Sequence, residues 1–335
     1  MNALNKKVVL AQRPDDTATA DCFKLIEEPL QALAPGEVRI GVEYISVDAG
    51  TRTMLRGEGF HQQVGLGDTI LAGGVGRVIE SNSPQWPLGQ AVRGGFGAQT
   101  IATVSAGAIE AVDEQLAPLS AYLGVLGGST GVTAWIGVRC VAKPKAGDVF
   151  VVSAAAGAVG SIVGQIAQRE GAQVIGIAGG AQKTDYLCNR LGFDHAIDYK
   201  NEDVNARLKS LAPQGVDGFF DNVGGDVLDA VLDNLAMHAK VVICGAISQY
   251  NHMDNVTGPS MYLRLAERQA TMEGFAYFHF PEQIPVAAAE LAQWLVDDAL
   301  VFDEHVLEGI DQYPNALGYM FEGKNIGKLL VKASG

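Results

Sequence analysis

The sequence predicts an α/β chain of two domains, a doubly wound parallel sheet and an irregular, mostly antiparallel barrel. Three observations carry this. From Asp148 onward, short apolar β-branched runs alternate with helical or loop stretches, the pattern of a parallel sheet covered on both faces. Within that region Asp148–Gly164, DVFVVSAAAGAVGSIVG, reads as strand, glycine turn and helix. Residues 1–125 instead carry short strand-like runs punctuated by glycine and proline, as antiparallel strands do. At 335 residues the chain is long for one domain. The boundaries drawn from these patterns give the barrel residues 1–125 and 300–335, and the parallel sheet residues 126–299.

In chain order, Val38–Ile45 alternates with period two and reads as a half-exposed strand. Gly73–Glu80 and Gly89–Arg93 read as two more. Leu119–Gly127 and Gly131–Cys140 read as helices that lead into the second domain, with Ser129-Thr130-Gly131 as an N-cap turn. Strands then follow at Val149–Ser153, Gln173–Ala178, His195–Ile197, Gly218–Asn222, Lys240–Gly245 and near Ala270–Ala276, with a long helix at Pro285–Ala299. The tail alternates again at Ile326–Val331 and is expected to return to the first domain.

Composition narrows the function classes. A formal net charge of −14 argues against an extended basic surface for nucleic acid. The N-terminus MNALNKKVVLAQRPDD has no apolar core of signal-peptide length, and the most apolar span, Val149–Ala167, is broken by glycines and serines. Cys22, Cys140, Cys188 and Cys244 are far apart, as expected of buried thiols in a reducing, cytoplasmic setting. His61, His195, His238, His252, His279 and His305 show no paired ligand spacing, so no metal site is expected. There is no G-x-S-x-G either.

The chemistry-bearing residues lie at strand ends. Ala155-x-Gly157-x-x-Gly160 follows a strand and opens a helix, the context in which backbone N–H groups cradle a pyrophosphate. A glycine turn that merely packs has the same look, and Ala155 stands where the first glycine usually sits. At the end of the second strand of the unit, Ala178-Gly179-Gly180-Ala181 offers no carboxylate for the ribose hydroxyls of NAD, and Lys183 follows. That favours NADP over NAD, although a lysine on an exposed helix start has the same spacing. Phe219–Gly225 ends another strand and brings the Asn222 amide toward the cofactor, unless Asn-x-Gly-Gly is a plain turn. Cys244-Gly245-Ala246-Ile247-Ser248-Gln249-Tyr250 leaves the fifth strand where a nicotinamide would lie. The Tyr250 phenol, with an ordinary pKa near 10, keeps its proton at neutral pH. Surface packing is the alternative for a tyrosine in a loop.

With these segments in view, the chain resembles the zinc-free medium-chain dehydrogenase/reductases, and among them the prostaglandin reductase and alkenal (curcumin-type) double-bond reductase branch. The resemblance rests on 154–167, on the lysine of 178–187, on LGFDHAIDYK (191–200), FFDNVGG (219–225), VVICGAISQYN (241–251), MEGF (272–275) and GKNIGK (323–328). It implies a Rossmann NADP domain and a barrel-like catalytic domain related to the chaperonin cofactor (GroES-like). By position, Gly157, Ala158, Val159 and Gly160 would hold the pyrophosphate. Lys183 and Tyr199 would bind the 2′-phosphate end, and Asn222 with Cys244–Tyr250 the nicotinamide half. Phe275, Ala276, Tyr277 and Asn325 would complete the cofactor contacts. Tyr250 matches the tyrosine that orients substrate and stabilises or protonates an enolate.

Two departures stand out. The family's aspartate-proline-tyrosine-methionine-arginine run is Asp48-Ala49-Gly50-Thr51-Arg52 here, which removes an aromatic from the substrate wall. Its serine ahead of the phosphate-binding lysine is Gly180. The implied activity is NADPH-dependent reduction of the carbon–carbon double bond of α,β-unsaturated ketones or aldehydes, by a homodimer acting on a small molecule. A quinone reductase of the same superfamily and a non-enzymatic NADPH-binding protein are the alternatives.

Overall fold

The computed structural model describes residues 4–57 and 61–333. The chain divides into two compact units, 1–124 with 304–335 and 125–303.

In the first unit β1 (Leu4–Leu10) pairs antiparallel with β2 (Phe23–Pro29) along its whole length. The larger sheet contains β3 (Glu37–Ser46), β4 (Gly74–Ser81), β5 (Ala91–Gly94), β6 (Ile101–Ser105) and β7 (Ile109–Ala111). The second unit contributes β8 (Val149–Ser153), β9 (Gln173–Ala178), β10 (His195–Asp198), β11 (Val216–Asp221), β12 (Leu235–Ile243) and β13 (Thr271–Gly274). The chain then returns to the first unit with β14 (Glu304–Glu308) and β15 (Lys328–Lys332).

The first unit's large sheet runs β14-β15-β3-β4-β5-β7, with β6 also on β3. It is mixed rather than antiparallel throughout, because β14 pairs parallel with β15. The expected barrel-like, mostly antiparallel domain is present, and its sheet is not closed. β1 spends its ladder on β2 and pairs with other segments through isolated bridges, Lys7↔Gln99 and Val9↔Thr69. The sheet therefore stays open, folded around a core that includes Val8, Val38, Ile40, Ile45, Ile70 and Phe96.

The second unit's sheet has the order β10-β9-β8-β11-β12-β13, every pair parallel. Phe150, Val151, Val152, Ile175, Phe219 and Phe220 are fully buried, which is why these runs are apolar without alternation. The order places β8 beside β11, where the winding reverses, and ligands of such sheets bind at the carboxyl ends of the strands there.

One helix reading needs correction. Leu119–Gly127 is only a 3₁₀ turn at Leu119–Tyr122, closed by Leu123 N–H to Ser120 O at 2.9 Å. Gly124, Gly127 and Gly128 supply no side chains to sustain a helix beyond it. A helical stretch does follow at 128–142, α-helical at Thr133–Ile136 and wider-wound on both sides. Its N-cap is Gly127, without a side-chain bond, not the Ser129–Gly131 turn.

Candidate active site

β8 ends in a turn whose left-handed residue is Ala154, φ 47°. Ala154 O accepts the Gly157 N–H at 2.9 Å, and the helix Ala158–Arg169 starts at once. A Cβ on Gly160 would fall 2.4 Å from Ala154 O, so the helix approaches the turn as closely as it does only because that side chain is missing. A Cβ on Gly157 would meet the same oxygen at 3.1 Å. Ala155, the departure from a glycine, is fully buried with its N–H on Ile177 O at 3.0 Å. Its methyl is accommodated because residue 176 is glycine, whose own Cβ would lie 3.0 Å from it.

The ends of β8, β11 and β12 are tied together by Asp221, which is 1% exposed. Its Oδ1 accepts Ser153 Oγ–H at 2.8 Å, Val223 N–H at 2.9 Å and Gly224 N–H at 3.1 Å. Its backbone oxygen accepts Cys244 N–H at 2.8 Å and Gly245 N–H at 3.2 Å. Asn222 donates its amide to Ser153 O at 2.8 Å. Burial pushes the Asp221 carboxyl up, and the three donors pull it partly back. Neither Asp221 nor Ser153 is singled out by sequence reasoning, because FFDNVGG reads first as a turn.

The loop after β12 is held onto the loop after β11. Ile247 N–H reaches Asn222 O at 3.1 Å, and Ser248 Oγ–H reaches Val223 O at 2.6 Å. Within it Tyr250 turns back so that its phenol oxygen accepts the Ala246 N–H at 3.2 Å. Burial raises the Tyr250 pKa, against the Ala246 bond, and the nearby Cys244 and Asp221 raise it further. Burial, with the Asp221 charge, pushes the Cys244 thiol up to about 12, so it stays protonated. The loop therefore carries a protonated phenol whose oxygen is already fixed.

At the end of β9, Gly180 has φ +92° and its N–H goes to Asp198 Oδ1 at 2.7 Å. Lys183 follows in the short helix Ala181–Asp185, half-buried. Burial, and then the like charge of Lys200, lower its pKa. Tyr199 is half exposed, its ring against the Gly179 backbone. Beyond β13, Phe275 packs edge-on against the buried Phe220, centroids 6.1 Å apart, and Ala276 and Tyr277 follow it. Tyr277 meets Phe278 edge-on. Asn325 belongs to the first unit, buried, with Nδ2–H on Gly327 O at 3.0 Å. The Asp48–Arg52 run is also there: Thr51–Met54 forms one helical turn, and Arg52 is buried on the Asp16 carbonyl at 2.6 Å.

Two family profiles match the chain, the N-terminal domain of oxidoreductase over residues 6–112 and zinc-binding dehydrogenase over 158–293. The NADPH-dependent curcumin reductase of Escherichia coli (strain K12) is 32% identical, covering 99% of this chain and 97% of that protein. The NADP(+)-dependent 2-alkenal reductase of Nicotiana tabacum is 38% identical over 87% of this chain and 85% of its own. The chain belongs to the medium-chain dehydrogenase/reductase family.

The crystal structure of CurA from Vibrio vulnificus in complex with NADPH superposes on this medium-chain reductase with a TM-score of 0.93, at 35% identity, covering 98% of this chain and 99% of that one. The residues present fit a phosphorylated dinucleotide: a helix start with no Cβ at Gly160, and a half-buried ammonium on Lys183 with no ion-pair partner among the described residues. Among the described residues no group of three or more His, Cys, Asp or Glu is arranged to hold a metal ion. No helix among them is long and apolar enough to cross a membrane.

Proposed function

We propose that this chain is an NADPH-dependent reductase of the carbon–carbon double bond of α,β-unsaturated ketones and aldehydes, with the cofactor held by the second unit. Relatives named for curcumin and 2-alkenal reduction support the substrate class, and a neighbour that binds NADPH supports the cofactor. The observation that carries the chemistry is Tyr250. Its oxygen accepts a backbone N–H, and its proton, already on at neutral pH, is held more firmly because burial raises the pKa.

The NADPH, when bound, supplies the hydride that adds to the β-carbon. The chain's own residues do the rest. Ala158, Val159 and Gly160 receive the pyrophosphate on the N–H groups of the helix start, and Gly157, whose own N–H is held by Ala154 O, lets it approach the backbone. Lys183 and Tyr199 take the 2′-phosphate end. Within the second unit Asn222, the Cys244–Tyr250 loop, Phe275, Ala276 and Tyr277 complete the cofactor's bed. Tyr250 donates its hydroxyl to the substrate's carbonyl oxygen, so that the negative charge developing there as an enolate meets a fixed donor. The α-carbon then takes a proton and the saturated carbonyl is released. A cytoplasmic homodimer completes the reading; all four cysteines are free, and β13 is an edge strand with all four residues exposed.

The test is a substrate panel. NADPH consumption is followed by its near-ultraviolet absorbance with enones, enals and quinones, and the products are identified. Saturated carbonyls from the enones are expected. Turnover confined to quinones would overturn the substrate class.

A further inference from the structure

The turns that close β9 and β10 carry two lysines, Lys183 and Lys200. A Cβ on Gly179 would fall 2.9 Å from Lys200 Cε and 2.9 Å from the Tyr199 ring. The Lys200 stem and the Tyr199 ring therefore both lie along the Gly179 backbone, one residue before the turn that leads to Lys183. The two ammonium groups are near enough that Lys200 depresses the pKa of Lys183.

Like charges gather here, and the neighbouring carboxylates are bound to other groups rather than paired with either ammonium. Asp198 Oδ1 accepts Gly180 N–H at 2.7 Å and Lys200 N–H at 3.1 Å, while Oδ2 accepts the Asn201 amide at 2.7 Å. Those bonds hold its carboxyl below the usual range, the Lys200 charge adding the smallest share. Glu202 accepts the Asp198 N–H at 2.8 Å and pairs with Arg207 at 2.9 Å. Asp203 caps the next helix through Ala206 N–H at 3.0 Å. Neither Lys183 nor Lys200 forms an ion pair among the described residues.

Position 180 is glycine at φ +92°, so no hydroxyl stands there as the complement to Lys183. We infer that Lys200 is a second specificity-determining cation for the cofactor's 2′-phosphate, working with Lys183 where the family's serine is missing. This rests on the NADP reading of the same site. A phosphomonoester carries close to two negative charges at neutral pH, so a single lysine leaves it half compensated. Asp198 is the positioning residue, since it holds both Gly180 and the Lys200 backbone.

The test is calorimetric binding of 2′,5′-ADP and 5′-AMP, which share the adenosine and lack the nicotinamide, to wild type, Lys183→Gln, Lys200→Gln and Lys200→Arg. Lys200 is exposed, so the variants are expected to fold. Lys200→Gln is expected to weaken 2′,5′-ADP about fivefold, with 5′-AMP unchanged and Lys200→Arg near wild type. A loss under about threefold, or an equal loss for 5′-AMP, overturns the assignment. Failure of wild type to prefer 2′,5′-ADP overturns the NADP reading as well, whatever the enone assay gives.

Discussion

Ser153 Oγ donates to Asp221 Oδ1 at 2.8 Å and accepts the Asn222 N–H at 2.8 Å, so one hydroxyl at the end of β8 fixes the end of β11. Oδ1 of Asp221 also takes two backbone N–H groups. An asparagine keeps one acceptor oxygen and turns the other atom into a donor facing Gly224 N–H, which lies 3.0 Å from Oδ2. Asp221→Asn is therefore expected to cost about 1–3 kcal/mol of stability, read by urea denaturation. A midpoint equal to wild type would remove Asp221 as the organiser of these loops.

The two buried aspartates should act on stability with opposite sign. Asp198 has a carboxyl held below its ordinary value, so its contribution is present above the unfolded carboxylate range and is lost as pH falls through the folded value. Asp221 has a raised carboxyl. The stability linked to it is fully present below the unfolded value and is lost as pH rises through the folded one. Stability measured from acid to neutral pH should lose part of its acid-side fall in Asp198→Asn. In Asp221→Asn the part that declines with rising pH should vanish. Parallel curves for wild type and both variants would refute this.

Gly160 and Gly157 should respond differently to a methyl group. At 160 the new Cβ meets a backbone oxygen at 2.4 Å and an α-carbon at 2.9 Å, neither of which can swing aside. Gly160→Ala is expected to cost about 1–3 kcal/mol and to impair NADPH binding. At 157 the single contact is 3.1 Å, so Gly157→Ala should fold nearly as wild type and lose affinity alone. Thermal melts with and without NADPH separate the two.

What the sequence disclosed follows from how buried each element is. Strands β8, β9 and β11 were legible because residues buried on both faces leave apolar β-branched runs. The glycine turn was legible because close approach permits no substitute at 160. Ala154 was not: nothing in an alanine announces φ 47°. Leu119–Gly127 misled because apolar spacing suits a buried turn as well as a helix, and the glycines decide. Asp221 and Asp198 were hidden for a common reason. Their role is to bind backbone N–H groups of other segments, and such partners leave no side-chain pattern to read. Tyr250 is proposed from its place at a strand end, and the Ala246 N–H that fixes it is a property of the folded loop.

In the first unit Lys328 is 1% exposed and its ammonium lies 2.6 Å from Asp48 Oδ1, while Ser46 Oγ bonds the other oxygen. Glu304 stands opposite Lys328 in the β14–β15 register, its carboxyl raised by burial and pulled back by Ser120 and Lys328. Lys328→Met leaves two carboxylates without their cation. The expected cost is about 3 kcal/mol, the low end for a buried pair because Asp48 is partly exposed. Asp48→Asn in the Lys328→Met background should recover part of it. Urea denaturation of the three variants decides, and a single-variant cost under about 1 kcal/mol would mean that solvent already screens the pair.

Tyr250→Phe removes the proposed donor and little else, since the ring and its loop remain. If the phenol meets charge that exists only on the way to the enolate, kcat should fall by about 10²–10³, or roughly 3–4 kcal/mol, while KM for the enone moves little. The raised pKa of the phenol gives a second readout. In wild type the alkaline limb of the kcat profile that belongs to this group should lie above its ordinary value of about 10, and it should be absent from the variant. The Ala246 bond is lost in the variant alone, with or without substrate, so that structural cost appears in the variant's melting temperature and not in that limb. Full turnover by Tyr250→Phe would leave the enolate oxygen to other donors and remove the tyrosine from the chemistry.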